Sequence, residues 1–228
     1  MDFFGKTVVV TGGTGALGSS VVSMLLAGGA ACRVPYVHDA EMQQFPHKDK
    51  ATLVAVKNLA DEADVAKLYD GVGELWASIH IAGGFAPGNV ADTDRTALMG
   101  QIESNLVSCF LCCRAAVRAM RKGGRIVNVA ARPALEWRAG AGMSAYTVSK
   151  AGVAALTTTL AEEVAKDGIL VNAVAPSIMD TPANRKAMPK ADFEKWPKVD
   201  EVAATIVFLA SGDNRVTRGG IVPVYGQS

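Results

Sequence analysis

A strand–turn–helix unit near the start of the chain constrains the fold more than any other sequence feature. The run Thr7–Thr11 is short, β-branched and without polar alternation, which is typical of a strand buried on both faces. A glycine turn in G-x-x-G-x-x-G spacing follows, and Ala16–Ala27 then predicts a helix that ends at Gly28 and Gly29. Such a unit is the first half of a strand–helix–strand motif, and it indicates a parallel sheet.

Strand-like and helix-like segments alternate along the rest of the chain. Further strands are predicted at Cys32–Val37, Thr52–Val56, Leu75–Ala82, Arg125–Val129, Ile169–Val174 and Ile221–Tyr225. Further helices are predicted at Asp61–Tyr69, Thr93–Arg121, Ser144–Lys166 and Asp200–Ala210. We therefore predict a single α/β domain over residues 1–228, a Rossmann-type doubly wound parallel sheet of about seven strands with helices on both faces. Pro35 is expected to weaken the second strand or move it toward an edge of the sheet.

Composition excludes several classes of protein. The 228 residues are 50% hydrophobic and 20% charged, with a net charge of +1. A chain of this length buries a large core without staples, and its balanced charge provides no field to attract nucleic acid or an anionic membrane. Neither a secretory signal pattern nor an uninterrupted apolar run of transmembrane length is present. We expect a cytoplasmic protein that has neither nucleic acid nor membrane as a partner.

Three of the four cysteines crowd one apolar segment. Cys109, Cys112 and Cys113 lie on a predicted helix, and no histidine is close to them in sequence. A metal site would need further ligands nearby. The sequence therefore favours reduced, buried thiols that act as small hydrophobes, and no metal.

The glycine turn predicts a dinucleotide site. Gly12 can form the tight turn, Gly15 lets the backbone approach a pyrophosphate, and Gly18 lets the helix lie against the strand. Free backbone N–H groups and the positive end of the helix dipole would bind the phosphates. An ordinary glycine-rich turn is the alternative interpretation, but a preceding strand and a following helix are the context that such a site requires.

The end of the second strand bears on the choice of nucleotide. A carboxylate there would bind the adenosine 2′-hydroxyl, whereas a basic group would accept a 2′-phosphate. Tyr36, Val37 and His38 occupy this position, none is acidic, and Asp39 comes too late. The sequence favours NADP(H), with NAD(H) as the alternative. His38 is either a phosphate partner or a solvated loop residue.

Tyr146 and Lys150 are candidate catalytic residues. Residues four apart share one face of a helix, so both side chains can point into one cleft. The pKa of a phenol is near ~10, and a neighbouring ammonium group would lower it. The pair could then donate a proton to a carbonyl oxygen as hydride arrives. The alternative is a chance coincidence of two amphipathic side chains on one helix.

These motifs resemble the short-chain dehydrogenase/reductase family over nearly the whole chain. The glycine turn, Ala82-Gly83-Gly84, Asn105, the Tyr146–Lys150 pair and Asn172-Ala173-Val174-Ala175-Pro176 occur in the family's order and spacing. The resemblance implies an NAD(P)(H)-dependent oxidoreductase in which Tyr146 is the acid/base, Lys150 binds the nicotinamide ribose and Asn105 holds a water. The nucleotide-binding residues that it implies are Gly12, Thr14, Gly15, Ala16, Leu17, Gly18, Tyr36, Asn58, Leu59, Ala82, Gly83, Tyr146, Lys150, Pro176, Ile178 and Thr181.

Two positions depart from the family pattern. The serine usual after the fifth strand is Ala131, and His80-Ile81 replaces two asparagines. Quinonoid dihydropteridine reductases also lack the serine, and the sequence resembles that branch most closely over Asp180–Pro189. An unassigned reductase of the same branch is the alternative. The branch implies a substrate-covering loop at residues 177–197. Substrate contacts are expected at Ala131, Met179, Met188 and Trp196.

Two hypotheses for function remain open. The first is hydride transfer to a carbonyl or quinonoid, pterin-like substrate. The second, motivated by Ala131, is a non-catalytic nucleotide-sensing module. The predicted helices Thr93–Arg121 and Ser144–Lys166 carry apolar faces, and in the resembled family the same helices form subunit interfaces. We therefore expect a homodimer or homotetramer.

Overall fold

The computed structural model describes residues 1–228 as one seven-stranded parallel sheet covered by helices, which confirms the predicted fold class. The strands are β1 (Thr7–Thr11), β2 (Ala31–Tyr36), β3 (Thr52–Ala55), β4 (Leu75–His80), β5 (Gly124–Val129), β6 (Ile169–Pro176) and β7 (Ile221–Val224). The helices are α1 (Ala16–Ala27), α2 (Asp39–Gln44), α3 (Glu62–Tyr69), α4 (Arg95–Gln101), α5 (Ser108–Ala119), α6 (Ser144–Glu163), α7 (Pro182–Ala187) and α8 (Val199–Ala210). None of them combines the length and apolar character needed to cross a bilayer.

The strand order places the candidate residues at one edge of the sheet. Strands lie in the order β3-β2-β1-β4-β5-β6-β7, so the direction of winding reverses between β1 and β4. Ligands of such sheets bind outside the carboxyl ends of the strands at this reversal. Gly12 ends β1 there with φ of +67°, and a Cβ on it would lie 2.7 Å from the backbone nitrogen of Ala82. The glycine therefore permits both the turn and the close approach of the two strand ends.

Two hydrophobic cores cover the two faces of the sheet. Helices α1 and α8 pack on one face, where Leu25 and Ile206 are fully buried against Val8 and Val127. Helices α3, α5 and α6 pack on the other face. This second core brings α5 and α6, which carry the candidate catalytic and cysteine residues, against β4, β5 and β6.

The structure corrects several predicted elements. Strand β2 lies one strand in from the edge, and its register with β1 ends at Arg33. Pro35 is tolerated there because it pairs only with β3, beyond the part of β2 that bonds to β1. The predicted helix Thr93–Arg121 consists of α4, a π-helical segment Ile102–Val107 and α5. Helix α2 was not predicted, and the predicted substrate-covering loop at residues 177–197 contains α7.

Candidate active site

Tyr146 and Lys150 lie on the first two turns of α6 and line one cleft at the reversal point of the sheet. The cleft has a volume of about 220 Å³. Lys150 is buried, and its Nζ donates a hydrogen bond of 2.8 Å to the carbonyl oxygen of Val129 at the end of β5. This bond fixes the ammonium group beneath the cleft, one helical turn from the phenol.

Burial changes the proton affinity of both groups. Loss of solvent raises the pKa of Tyr146 to about 12, and it lowers the pKa of Lys150 to about 8. The expected lowering of the phenol's pKa by the ammonium group does not outweigh the effect of burial. At neutral pH Tyr146 is therefore a protonated phenol, which can donate a proton, and most of Lys150 is charged.

Asn105 lies in the π-helical segment between α4 and α5, a kind of irregularity that is frequent at functional sites. Its Nδ2 donates to the carbonyl oxygen of Gly84 at 2.9 Å and to Ser149 Oγ at 3.1 Å. Its Oδ1 accepts from the N–H of Gly84 at 3.0 Å. The wider turn thus presents a buried amide at the floor of the cleft and ties the loop after β4 to α6.

The walls of the cleft are small and apolar beside the phenol. Ala130 and Ala131 form one wall, so a methyl group lies where the resemblance implies a serine. Phe85 packs edge-on against the ring of Tyr146, with ring centroids 5.0 Å apart and an interplanar angle of 86°. Sequence analysis missed Phe85, although it directly follows the Ala82-Gly83-Gly84 motif. Lys150 is the only charged residue that lines the cleft.

The glycine turn is built to receive an anionic group. Gly15 precedes α1 without a capping side chain, and the first turn of the helix contains no acidic residue. A Cβ on Gly18 would collide with the carbonyl oxygen of Gly12, so only glycine keeps the helix this close to the turn. The free N–H groups at this helix end fit a dinucleotide pyrophosphate. Leu17 and Gly83 connect the turn to the cleft that Tyr146 lines.

Comparison with known proteins agrees with this geometry. A family model described as "Enoyl-(Acyl carrier protein) reductase" matches residues 13–226. Galactitol 2-dehydrogenase of Rhizobium johnstonii is 33% identical over 243 residues, which cover 96% of this chain and 93% of its own. This chain belongs to the short-chain dehydrogenase/reductase family. Its class is therefore that of the NAD(P)-dependent oxidoreductases, as the sequence predicted.

Two further similar proteins bear on the branch of the family to which this short-chain dehydrogenase/reductase belongs and on its choice of nucleotide. Dihydropteridine reductase of Dictyostelium discoideum is 28% identical over 224 residues, covering 95% of this chain and 93% of its own. It is one relative among several enzymes named for other substrates, so the comparisons do not single out its branch. A blue fluorescent protein from a metagenomic library, solved in complex with NADPH, is 27% identical with a TM-score of 0.87, covering 100% of this chain and 99% of its own.

Glu41 is a second residue that sequence analysis missed in this short-chain dehydrogenase/reductase. It lies in α2, and its Oε2 accepts hydrogen bonds of 3.4 Å from Thr14 Oγ1 and from the backbone N–H of Val37. The carboxylate thus bridges the glycine turn and the end of β2, where the sequence shows no acid. The only local feature of Glu41 is its position on a short helix. Its contact with Thr14 spans 27 positions of the sequence, so no local pattern indicates that contact. His38 is exposed just before this helix.

The loop at residues 177–197 is only partly directed at the cleft. Met179 lines the cleft together with Pro176. Trp196 is buried against the ring of Phe193, and neither Trp196 nor Met188 lines the cleft. Thr181 caps α7 by accepting a hydrogen bond from Asn184.

Asp180 pins this loop to the start of α8. Its carboxylate binds Arg185 and also Lys198 Nζ, the latter at 3.0 Å. These two cations hold the pKa of Asp180 well below its usual range, and the Arg185 hydrogen bond contributes most. The loop is therefore held at its base beside the cleft that Met179 lines.

Other predicted nucleotide contacts lie outside the cleft. Tyr36 ends β2, and Ala16 begins α1 on the surface. Asn58 is exposed beyond β3, where its N–H donates to Asp64, and Leu59 packs against the core. Ile178 is largely exposed. Their roles toward a nucleotide stay predictions, because their positions surround the crevice rather than line its inner wall.

Proposed function

We propose that this chain reduces the carbonyl or quinonoid group of a small, flat, uncharged substrate with a nicotinamide nucleotide. The observation that carries the proposal is that Tyr146 and Lys150 share one cleft with Leu17 and Gly83, which connect it to the glycine turn. A dinucleotide whose pyrophosphate lies at α1 extends from that turn toward the phenol.

The residues have distinct tasks in this reaction. When bound, the nucleotide supplies the hydride. Tyr146 donates its phenolic proton to the substrate oxygen as negative charge develops there. Lys150 binds the nicotinamide ribose and stabilises the phenolate that remains after proton transfer. Asn105 orients the water through which the phenol is reprotonated.

The protonation of the cleft favours reduction over oxidation. With a pKa of about 12, the phenol of Tyr146 carries its proton at neutral pH and can donate it to a substrate oxygen. Proton donation is the step that carbonyl reduction requires.

The shape and charge of the cleft support the substrate class. Phe85 and Met179 are apolar walls, and Ala131 offers no hydrogen bond to a carbonyl oxygen. A quinonoid ring is already polarised and needs less of that help than a simple ketone. A pterin-like substrate therefore fits the cleft, as do other conjugated carbonyl compounds.

For the nucleotide, the geometry favours NAD(H), in contrast to the NADP(H) favoured by sequence. The Glu41 carboxylate lies between Thr14 and Val37, where the adenosine ribose is expected. It can accept a hydrogen bond from a ribose 2′-hydroxyl, whereas it would repel a 2′-phosphate.

The test of the reductase function is the oxidation of NADH or NADPH by a panel of quinonoid pterins, quinones, diketones and simple ketones, followed at 340 nm. Tyr146→Phe should lower kcat/KM by roughly 10²–10⁴-fold while nucleotide binding persists, because only the proton donor is lost. Thr158→Ala, at an exposed position of the same helix, is the matched control. Nucleotide binding without turnover of any substrate class would instead support the sensing module.

The test of nucleotide choice is Glu41→Gln, measured as the ratio of the dissociation constants for NADH and NADPH. A hydrogen bond to a charged group contributes about 1.5–3 kcal/mol. The affinity for NADPH relative to NADH should therefore rise by roughly 10- to 100-fold. Asp39→Asn removes the same charge from the exposed start of α2 and should leave the ratio nearly unchanged. Equal shifts in both variants would refute the assignment to Glu41.

We also propose that the chain is a homo-oligomer. Phe110 on α5 and Val148 on α6 are 49% and 56% exposed, whereas Val153 and Leu160 of the predicted interface are buried in the core. Phe110 and Val148, which are exposed on two adjacent helices, are therefore available for subunit contact. A monomeric mass by light scattering at micromolar concentration would contradict this proposal.

A further inference from the structure

A cluster of soft donor atoms lies in the core near the cleft. His80 at the end of β4 and Cys109 and Cys113, one turn apart on α5, bring a ring nitrogen and two sulfur atoms within 4.8 Å of one another. The three residues are 3%, 5% and 2% exposed. The proposed reaction uses none of them. The sequence does not indicate this arrangement, because 28 residues separate the histidine from the nearer cysteine.

The spacing of the donors matches a tetrahedral metal site. Cys113 Sγ lies 3.5 Å from His80 Nδ1 and 3.5 Å from Asn128 Oδ1. Zinc–sulfur bonds of about 2.3 Å and zinc–nitrogen bonds of about 2.0 Å at a tetrahedral angle place the two donors about 3.5 Å apart. Asn128 Oδ1, 2.8 Å from His80 Nδ1, is the fourth donor atom on this side of the sheet.

Neighbouring side chains already orient His80 and Asn128 toward the position of the metal. His80 Nδ1 donates a hydrogen bond of 2.8 Å to Asn128 Oδ1, so it carries the ring proton. Ser78 Oγ lies 2.8 Å from Nε2 and can accept that proton on Nε2 when an ion takes its place at Nδ1. Asn128 Nδ2 donates to Thr157 Oγ1 at 2.9 Å, which turns Oδ1 toward the cluster. Both potential ligands are thus held by a second layer of hydrogen bonds.

Charge balance selects the metal. Two thiolates and one Zn²⁺ sum to zero, so the loaded site places no net charge in the core, where an isolated ion would be costly. Soft sulfur ligands with one imidazole are typical of zinc rather than of calcium or magnesium.

We propose that the chain binds one structural zinc ion through Cys109 Sγ, Cys113 Sγ and His80 Nδ1, with Asn128 Oδ1 as the fourth ligand. Binding releases the two thiol protons to solvent and moves the ring proton of His80 from Nδ1 to Nε2, where Ser78 Oγ accepts it. The ion would join α5 to β4 and β5. The ligand Asn128 directly precedes Val129, whose carbonyl oxygen accepts the hydrogen bond from Lys150.

The test uses untagged full-length chain, expressed with added zinc, dialysed against metal-free buffer and analysed for zinc by mass spectrometry. Close to one zinc per chain is expected. Cys109→Ala and Cys113→Ala should lose it, whereas Cys112→Ala should retain it. Cys112 is the matched control, because it is buried on the same helix but lies outside the cluster. Circular dichroism checks that each variant is folded.

A second measurement keeps the proposal testable if the variants do not fold. Refolding the wild-type chain with Co²⁺ should give near-ultraviolet thiolate-to-cobalt absorption and intense visible bands typical of a tetrahedral site. Cys112→Ala should give the same spectrum. A wild-type chain without zinc and without these bands would overturn the proposal, as would zinc that persists in both folded cluster variants. Neither result bears on hydride transfer, which the 340 nm assay measures separately.

Discussion

The two faces of the sheet bury different chemistry although they share the same strands. Along β5, Val127 and Val129 point toward α1 and α8, into a core made of aliphatic and aromatic side chains. Asn128, between them, points toward α5 and α6, where it meets His80 and Thr157. Because successive side chains of a strand alternate between faces, a single strand serves both environments.

The residues that mainly stabilise the fold and the residues that carry the chemistry therefore lie on different faces of the sheet. The face of α1 and α8 is stabilised mainly by apolar burial. The face of α5 and α6 carries Asn105, Lys150 and the His80 cluster, so its polar groups must be satisfied as well as packed. Substitutions on the first face that lie away from the cleft should change stability only, whereas substitutions on the second should change stability and activity together.

The largest expected effect is Ile206→Ala on the apolar face. Ile206 of α8 is fully buried, and its truncation leaves a cavity that should lower the free energy of unfolding by roughly 2–5 kcal/mol. Urea denaturation measures the loss, and KM and the pH profile should not change. Thr205→Ala, half-buried on the same helix, should cost less than about 1 kcal/mol. An altered pH profile in Ile206→Ala would show that the two faces are coupled.

On the polar face, Asn128→Ala should lower the free energy of unfolding by about 1–3 kcal/mol, because it leaves His80 and Thr157 without their partner. It should also lower kcat/KM several-fold, since the adjacent carbonyl of Val129 positions Lys150. Val127→Ala on the same strand is the matched comparison and should affect stability alone. If both variants lower activity equally, the distinction between the faces is wrong.

Ala131→Ser restores a hydroxyl group beside the phenol. We expect kcat/KM for simple ketones to rise roughly tenfold, about 1.4 kcal/mol, because a new donor faces the developing oxyanion. Quinonoid substrates should gain less. Ala130→Ser, which lines the same cleft, is the control. A gain of equal size in both variants would show that the position of the hydroxyl does not matter.

The smallest expected effect is on pH dependence. Burial lowers the pKa of Lys150 to about 8, so its charge is present below that pH and is lost above it. Tyr146, with a pKa of about 12, stays protonated over the same range. The rate of reduction should therefore fall about twofold between pH 7 and pH 8, because half of the Lys150 charge is lost at its pKa. A flat kcat/KM between pH 7 and 10, with the protein still folded, would contradict this assignment.

Much of the fold followed from local patterns. Runs such as Thr7–Thr11 are continuous and β-branched because the sheet is covered on both faces, and the alternation of strands and helices indicates parallel order. The pairing of Tyr146 with Lys150 followed from helical periodicity, which is also local. The π-helical segment at Asn105 and the interior position of Pro35 were missed, because both depend on which neighbours the chain packs against.

The sequence by itself determined the glycine turn, the class of fold and the helix that carries Tyr146 and Lys150, since each depends on residues a few positions apart. Only the tertiary structure decided that Glu41 reaches Thr14, that Phe85 packs on Tyr146 and that His80 meets two cysteines of α5. Those contacts join segments distant along the chain. They form where strand ends and helix faces converge, and no short pattern in the sequence encodes that convergence.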